Sequence, residues 1–208
     1  MSDDFTFRVL FAASYAVFAL VRGYYNQKSR RGAPMRSREE RFEAITRQGK
    51  FSGFFFLALF WFFVIVVALY LLDSPWIAWS YFVIPVWVRW MGFGFGLVAV
   101  PLVWWAHRTL GESFSYALEV KDEQRLVTSG PYAKVRHPVY TSHIVFNIGM
   151  VFVASNWILL IIWVLGIPFT YHRMFQEEKM MIDEFGDVYI EYMRRTGRLI
   201  PRTSGSDS

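Results

Sequence analysis

Long apolar runs separated by short charged segments dominate the chain. The clearest run, Phe51 to Leu72, reads FSGFFFLALFWFFVIVVALYLL and contains no charge. About 20 mostly apolar residues are enough to cross a hydrocarbon core as a helix. A second run, Tyr81 to Ala106, carries Arg89 together with Pro85 and Pro101. Val139 to Val153 and Trp157 to Tyr171 then form a pair joined only by Ala154-Ser155-Asn156. A connection that short makes an antiparallel helical hairpin. Near the N-terminus, Val9 to Val21 is shorter, and with its flanks it reaches from Phe5 to Tyr24. It opens with Asp3-Asp4 rather than a basic region, unlike a standard secretory signal. The pattern predicts an all-α, polytopic membrane bundle of about five helices ending in a hairpin. Residues 1–84 hold the N-terminal spans with a basic loop, and residues 85–208 hold a C-terminal core.

Composition sharpens this reading. Of the 208 residues, 54% are apolar and 20% aromatic, above the usual apolar share of a globular chain of about 45–50%. Disorder, a fibrous repeat and a simple soluble enzyme are excluded, and the length suits one domain. The chain has no cysteine, which excludes disulfides, thiolate catalysis, zinc–thiolate sites and iron–sulfur clusters. Four histidines, His107, His137, His143 and His172, leave little room for a metal cage.

The net charge of +5 raises the question of nucleic acid, and the placement of charge answers it. Segment Arg22–Lys50 holds nine Lys/Arg, His107–His137 five and Arg173–Ser208 six, while 1–7, 73–80 and 154–156 hold none. Arg8 and Arg89 complete the set, within or at the ends of spans. This alternation predicts basic loops in the cytoplasm and an external N-terminus. Basic loops flanking spans are explained by topology and anionic lipid, so nucleic acid is not an expected partner. Arg22–Lys50 reads as a solvated topogenic loop, or as a lipid-facing linker with a short amphipathic helix near Arg38–Gln48. Arg89 either snorkels to the outer face or has a buried partner.

Chemistry concentrates in two segments that bracket the hairpin. The first runs from Arg125 to Tyr140 and includes Gly130-Pro131-Tyr132 and Arg136-His137-Pro138-Val139-Tyr140. The second runs from Arg173 through Glu177-Glu178 and Phe185-Gly186 to Tyr189 and Tyr192. A tight hairpin returns both to one side, where they can build a common pocket. Gly130-Pro131 signals a turn, and Pro138 suits a first helical turn, placing His137 at the helix start. Unpaired backbone N–H groups there, with Arg136, His137, Tyr132 and Tyr140, would cradle a polar ligand. The same residues also fit an interfacial belt, with Arg136 on lipid phosphate and His137 capping the helix. Arg173 and Glu177, four apart, share a helix face. They make either a weak solvated pair or a pair of groups for an anionic and a cationic ligand group. Gly186 is a candidate helix break.

These motifs, with a closing Leu199-Ile200-Pro201, resemble the isoprenylcysteine carboxyl methyltransferase family, and the related phospholipid methyltransferases share much of the pattern. The resemblance covers about residues 85–202 and extends to Leu110-Gly111 and Ser113-Phe114-Ser115, where the family often has LGxxWS. It implies an integral membrane methyltransferase using S-adenosylmethionine, with a cytoplasmic cofactor pocket in the 85–208 core. It implies that Gln124, Leu126, Val127, Tyr132, His137, Tyr140 and Glu177 line the donor pocket. Arg173 then meets the acceptor as a carboxylate partner. The implied acceptor is an isoprenylcysteine-like or other lipophilic molecule in the bilayer, a lipid, small thiol or amine included. The implied site is a bacterial inner membrane or endoplasmic reticulum. Ser142 stands where the family usually has glycine, Phe114 where tryptophan is common, and Phe175 where a basic residue is frequent. These departures bear on the acceptor more than on the donor. Two other readings stand beside this one: a membrane NADPH-dependent sterol or enone reductase, and a non-catalytic adaptor that keeps the fold.

Overall fold

A computed structural model describes residues 2–31, 50–111 and 126–202. Five long helices appear in chain order: α1 (Ser2–Arg31), α2 (Lys50–Leu71), α3 (Val86–Leu110), α4 (Pro138–Ala154) and α5 (Trp157–Phe185). A short α6 (Asp187–Arg195) and two 3₁₀ turns, Pro75–Ser80 and Gly130–Ala133, complete the described elements. Among the described residues there is no strand, only isolated bridges between Tyr81 and Asn156 and between Val135 and Gly197. Among the described residues, three stretches are long and apolar enough to cross a membrane: Asp4–Lys28, Val86–Leu110 and Trp157–Phe185. Leu57–Leu71 and Pro138–Ala154 are shorter apolar helices. At 1.5 Å per residue, α4 is about 25 Å long, slightly less than a hydrocarbon core.

Each boundary has a local cause. Helix α3 starts at Val86 because Pro85 cannot continue a helix backwards, so the expected span beginning at Tyr81 is extended chain for its first residues. Pro101 sits inside α3 without ending it. The hairpin turns at Ser155, which adopts a left-handed conformation with φ 50°. Asn156 then caps α5, its side chain accepting from the N–H groups of Ile158 (3.0 Å) and Leu159 (3.2 Å). Helix α5 runs on past the expected Tyr171 for a total of 29 residues, carrying Arg173, Glu177 and Glu178 on the same rigid rod as the apolar span. It ends at Gly186, where φ of 52° demands glycine-like freedom, as the sequence suggested.

The core lies where α1, α3 and α4 meet, around Phe7, Phe11, Phe18, Ala99, Val103, Phe146, Met150 and Val153, with Val66 and Tyr70 from α2. Helices α3 and α4 touch backbone to backbone at Gly92 and Gly149. A Cβ at Gly92 would lie 2.5 Å from the Gly149 carbonyl oxygen, and one at Gly149 would meet the Gly92 carbonyl just as hard. Ser142, where the family usually has glycine, is fully buried on α4 and donates to the Pro138 carbonyl at 2.7 Å, so the serine fits.

At the end of the bundle carrying the hairpin turn, Arg89 is buried. Its Nη1 pairs with Asp4 at 2.7 Å, its Nε donates to the Val153 carbonyl at 3.0 Å, and its guanidinium lies 4.0 Å from the Phe7 ring centroid. Arg89 is therefore buried itself but paired with an exposed carboxylate, on the far side of the bundle from the two chemistry-bearing segments. Arg8 pairs with Asp73 at 2.9 Å nearby. His143 is held inside the bundle by the Val139 carbonyl (2.7 Å), by Arg22 and edge-on by Phe18. His107 is fully buried and stacked on Tyr25.

Candidate functional site

The two segments converge, because a hairpin with a two-residue turn must return α5 to the level at which α4 began. The Tyr140 hydroxyl donates to Glu177 Oε1 at 2.6 Å. Arg173 Nε–H is shared between the Tyr140 hydroxyl (2.9 Å) and Glu177 Oε1 (3.3 Å). His137 brings Nδ1 to 3.7 Å from Glu177 Oε2. Arg173 and Glu177 keep 30% and 26% of their side-chain surface accessible, so this face of the cluster is open to a ligand. Tyr132 is buried in the turn before α4, and its carbonyl accepts from the Tyr192 hydroxyl at 2.7 Å. Leu126 and Val127 are half-buried in the extended stretch leading to that turn. Gln124 lies outside the described residues, as do Arg38–Gln48 and Ser113-Phe114-Ser115.

Beneath this open face lies a second, closed cluster built on Glu178, only 3% exposed. Arg136 Nε meets its Oε1 at 3.0 Å, Arg198 Nη2 meets Oε2 at 2.6 Å, and His137 Nε2 lies 3.2 Å from Oε1. Burial pushes the Glu178 carboxyl up, but bonds from His137, Arg198 and Arg136 outweigh it and hold the group down at about 2. Arg136 Nη1 donates to the carbonyls of Met193 and Thr196.

Two expectations change. Arg136 is neither a ligand donor nor a lipid contact, since its guanidinium is spent on Glu178 and the end of α6. His137 occupies the capping position of α4, but its ring does not cap; it turns toward Glu178 instead. Two backbone N–H groups just ahead of the helix are bonded to the tail. Arg136 N–H donates to the Gly197 carbonyl (2.8 Å) and His137 N–H to the Arg198 carbonyl (3.1 Å). The Thr141 hydroxyl reaches the Leu199 carbonyl (2.7 Å). The tail after α6 thus closes over the segment. Arg198 and Glu178 are the residues that motif spacing does not single out as the clamp. Phe175, in the place of a frequent basic residue, carries Arg198 over its ring at 4.6 Å.

The residues present fit a sulfonium donor with an ammonium and a carboxylate. Glu177 is an accessible anion for the ammonium, the Tyr140 ring beside it is a π face for a cation, and Arg173 adds a guanidinium at the same mouth. Among the described residues no group of three His, Asp or Glu is arranged to hold a metal ion.

Known proteins bear on this geometry. Residues 90–183 match the model of the isoprenylcysteine carboxyl methyltransferase family. The chain is 35% identical over 99 residues to protein-S-isoprenylcysteine O-methyltransferase of Saccharomyces cerevisiae, covering 46% of this chain and 41% of that protein. It is 34% identical over 100 residues to the Homo sapiens protein of the same name, covering 47% and 35%. The Arabidopsis thaliana protein-S-isoprenylcysteine O-methyltransferase B is 30% identical over 96 residues, covering 45% and 49%. The matched region thus spans between a third and a half of these relatives. The solved structure of a eukaryotic intramembrane Ras methyltransferase, an isoprenylcysteine carboxyl methyltransferase, superposes with a TM-score of 0.53 at 21% identity over 96% of this chain and 64% of that one. That likeness extends the shared fold beyond the matched segment to nearly the whole chain. The reductase and adaptor readings gain nothing from these matches, and the resemblance carried by the RHPVY and Glu177-Glu178 segments is a resemblance to the isoprenylcysteine carboxyl methyltransferase family by sequence and fold alike.

Proposed function

We propose that this chain is a multi-pass membrane methyltransferase that takes its methyl group from S-adenosylmethionine and delivers it to a carboxylate on an isoprenylcysteine-like or other lipophilic acceptor. The observation that carries the proposal is the junction of Tyr140, Arg173 and Glu177. Three groups from both halves of the family pattern meet at the polar end of an apolar bundle, with one face accessible. All five long helices cross the bilayer in this reading, and the basic segments place the cluster on the cytoplasmic side.

Each residue then has a task. S-Adenosylmethionine, when bound, supplies an electrophilic methyl on a sulfonium. Glu177 receives its ammonium, and the Tyr140 hydroxyl fixes the carboxylate for that contact. Tyr140 presents its ring to the cation, while Leu126, Val127, Gln124 and the Tyr132 turn form the rest of the wall. His137 orients Glu177 from below. Arg173, on the rod that emerges from the membrane, meets the acceptor carboxylate as a lipid tail lies along the bundle. Attack by a carboxylate oxygen moves no proton, so the chain contributes alignment and exclusion of water rather than a base.

Calorimetric binding of S-adenosylhomocysteine to detergent-purified protein tests the donor site, with NADPH and Glu177→Ala alongside. Saturable binding that weakens at least about tenfold in the variant is expected, as for loss of a charge-assisted contact. Binding of NADPH in place of the homocysteine compound, or an unchanged affinity in Glu177→Ala, refutes the assignment. Transfer of labelled methyl to a farnesylated cysteine derivative, abolished in Arg173→Ala with donor binding intact, tests the acceptor role.

A further inference from the structure

Away from the Glu177 cluster, a crevice of about 430 Å³ opens between the C-terminal ends of α1 and α3. Tyr24, Tyr25 and Lys28 of α1 line one side, and Trp104, Arg108 and Gly111 line the other. Its chemistry is graded. Lys28 and Arg108, both exposed, form a cationic rim. Arg108 lies 5.1 Å above the Trp104 ring, which holds the guanidinium plane at the rim. Tyr25 is fixed by stacking on buried His107, so its ring forms a rigid wall. Among the described residues neither Lys28 nor Arg108 is paired with a carboxylate.

One helical turn after another below the rim, the same faces become apolar and stay exposed. Leu20 and Val17 lie four and seven residues before Tyr24, and Leu97 lies seven before Trp104. Two cations at the mouth, aromatic walls and an uncovered apolar strip running into the bundle's membrane zone match an amphiphile, not a free anion or a soluble peptide. We propose that this crevice seats the phosphate of an anionic phospholipid. Lys28 and Arg108 engage the headgroup, and the acyl chains lie on Leu20, Val17 and Leu97. Such a lipid adds to the Tyr25–His107 stack in holding α1 to α3 at this end of the bundle. The proposal is independent of the methyl-transfer reading.

Native mass spectrometry of the full chain released from detergent tests it, with phosphatidylglycerol, phosphatidylcholine and inorganic phosphate as the three probes. Retained phosphatidylglycerol is expected to bind about 30-fold more weakly in Lys28→Gln/Arg108→Gln, at about fivefold per lost cation. The charge-matched control Lys179→Gln/Arg195→Gln, at the same end but outside the crevice, should retain the lipid. Arg108→Lys should keep part of the affinity. Equal loss in the control pair, equal retention of phosphatidylcholine, or displacement of the lipid by inorganic phosphate would overturn the proposal. Thermal melting in zwitterionic detergent separates lipid loss from misfolding, since both substituted side chains are exposed.

Discussion

Adjacent glutamates just below an apolar span look redundant, and their geometry shows that they are not. Neighbours on a helix point about 100° apart, so Glu178 turns into the bundle while Glu177 turns along its surface. Glu178 is the anchor for Arg136, Arg198 and His137, whereas Glu177 stays accessible. Glu178→Gln should therefore lower stability by about 3–5 kcal/mol, the cost of leaving a buried cation without its counter-ion. Glu177→Gln should leave thermal unfolding nearly unchanged and weaken donor binding. Melting curves and calorimetry on the two variants check the division, and equal destabilisation by both would remove it. The depressed carboxyl of Glu178 adds a pH signature. Its folded value of about 2 lies below the ordinary 4.5. The stability it contributes is complete above about pH 4.5 and drains away as pH falls toward 2. Wild-type protein should lose melting temperature across that acid window, and Glu178→Gln should show a flatter profile there.

At the scale of elements, α3 and α4 are joined by the closest contact in the bundle, and it exists because Gly92 and Gly149 leave room for each other's carbonyls. Gly92→Ala should cost about 1–3 kcal/mol by overpacking. Gly94→Ala, on the same helix with open space around it, should be neutral or slightly stabilising. Thermal unfolding of the pair tests the closeness of this crossing, and equal melting temperatures for Gly92→Ala and Gly94→Ala would refute it. The helices themselves are legible in the sequence, because apolar runs and the Ser155-Asn156 turn act locally, although the start of α3 after Pro85 is not. The meeting of Tyr140 with Glu177 is legible for the same reason, since a tight hairpin permits no other level. The tail is not. It holds the start of α4 through the carbonyls of Gly197, Arg198 and Leu199, and any residue supplies a carbonyl. The Arg198–Glu178 bond spans twenty residues and a break at Gly186, so no helical spacing announces it. Asp4 reads only as an acidic N-terminus until the bundle places it on Arg89.

For the whole molecule, polarity is sorted to two ends. One end holds the hairpin turn, Arg89 with Asp4, Arg8 with Asp73, and exposed Trp76 and Trp79 on the Pro75–Ser80 turn. The other holds the Glu178 anchor, the Tyr140–Arg173–Glu177 face and exposed Lys28 and Arg108. Indole rings exposed at the edge of an apolar bundle suit a membrane–water interface, and in the proposed reading the distribution of Lys/Arg turns the second end toward the cytoplasm. In the proposed reading a methyl donor from the cytosol meets Glu177 only with that orientation, so the reading and the topology are tested together. The chain has no cysteine, which makes single introduced cysteines unambiguous reporters. Ala78→Cys, on the exposed Pro75–Ser80 turn, should react with an impermeant maleimide added outside sealed cells. Ser129→Cys, beside the Tyr132 turn, should react only after the cells are opened. The reverse pattern would place the Glu177 cluster outside, away from its donor, and would remove the methyltransferase reading with the topology.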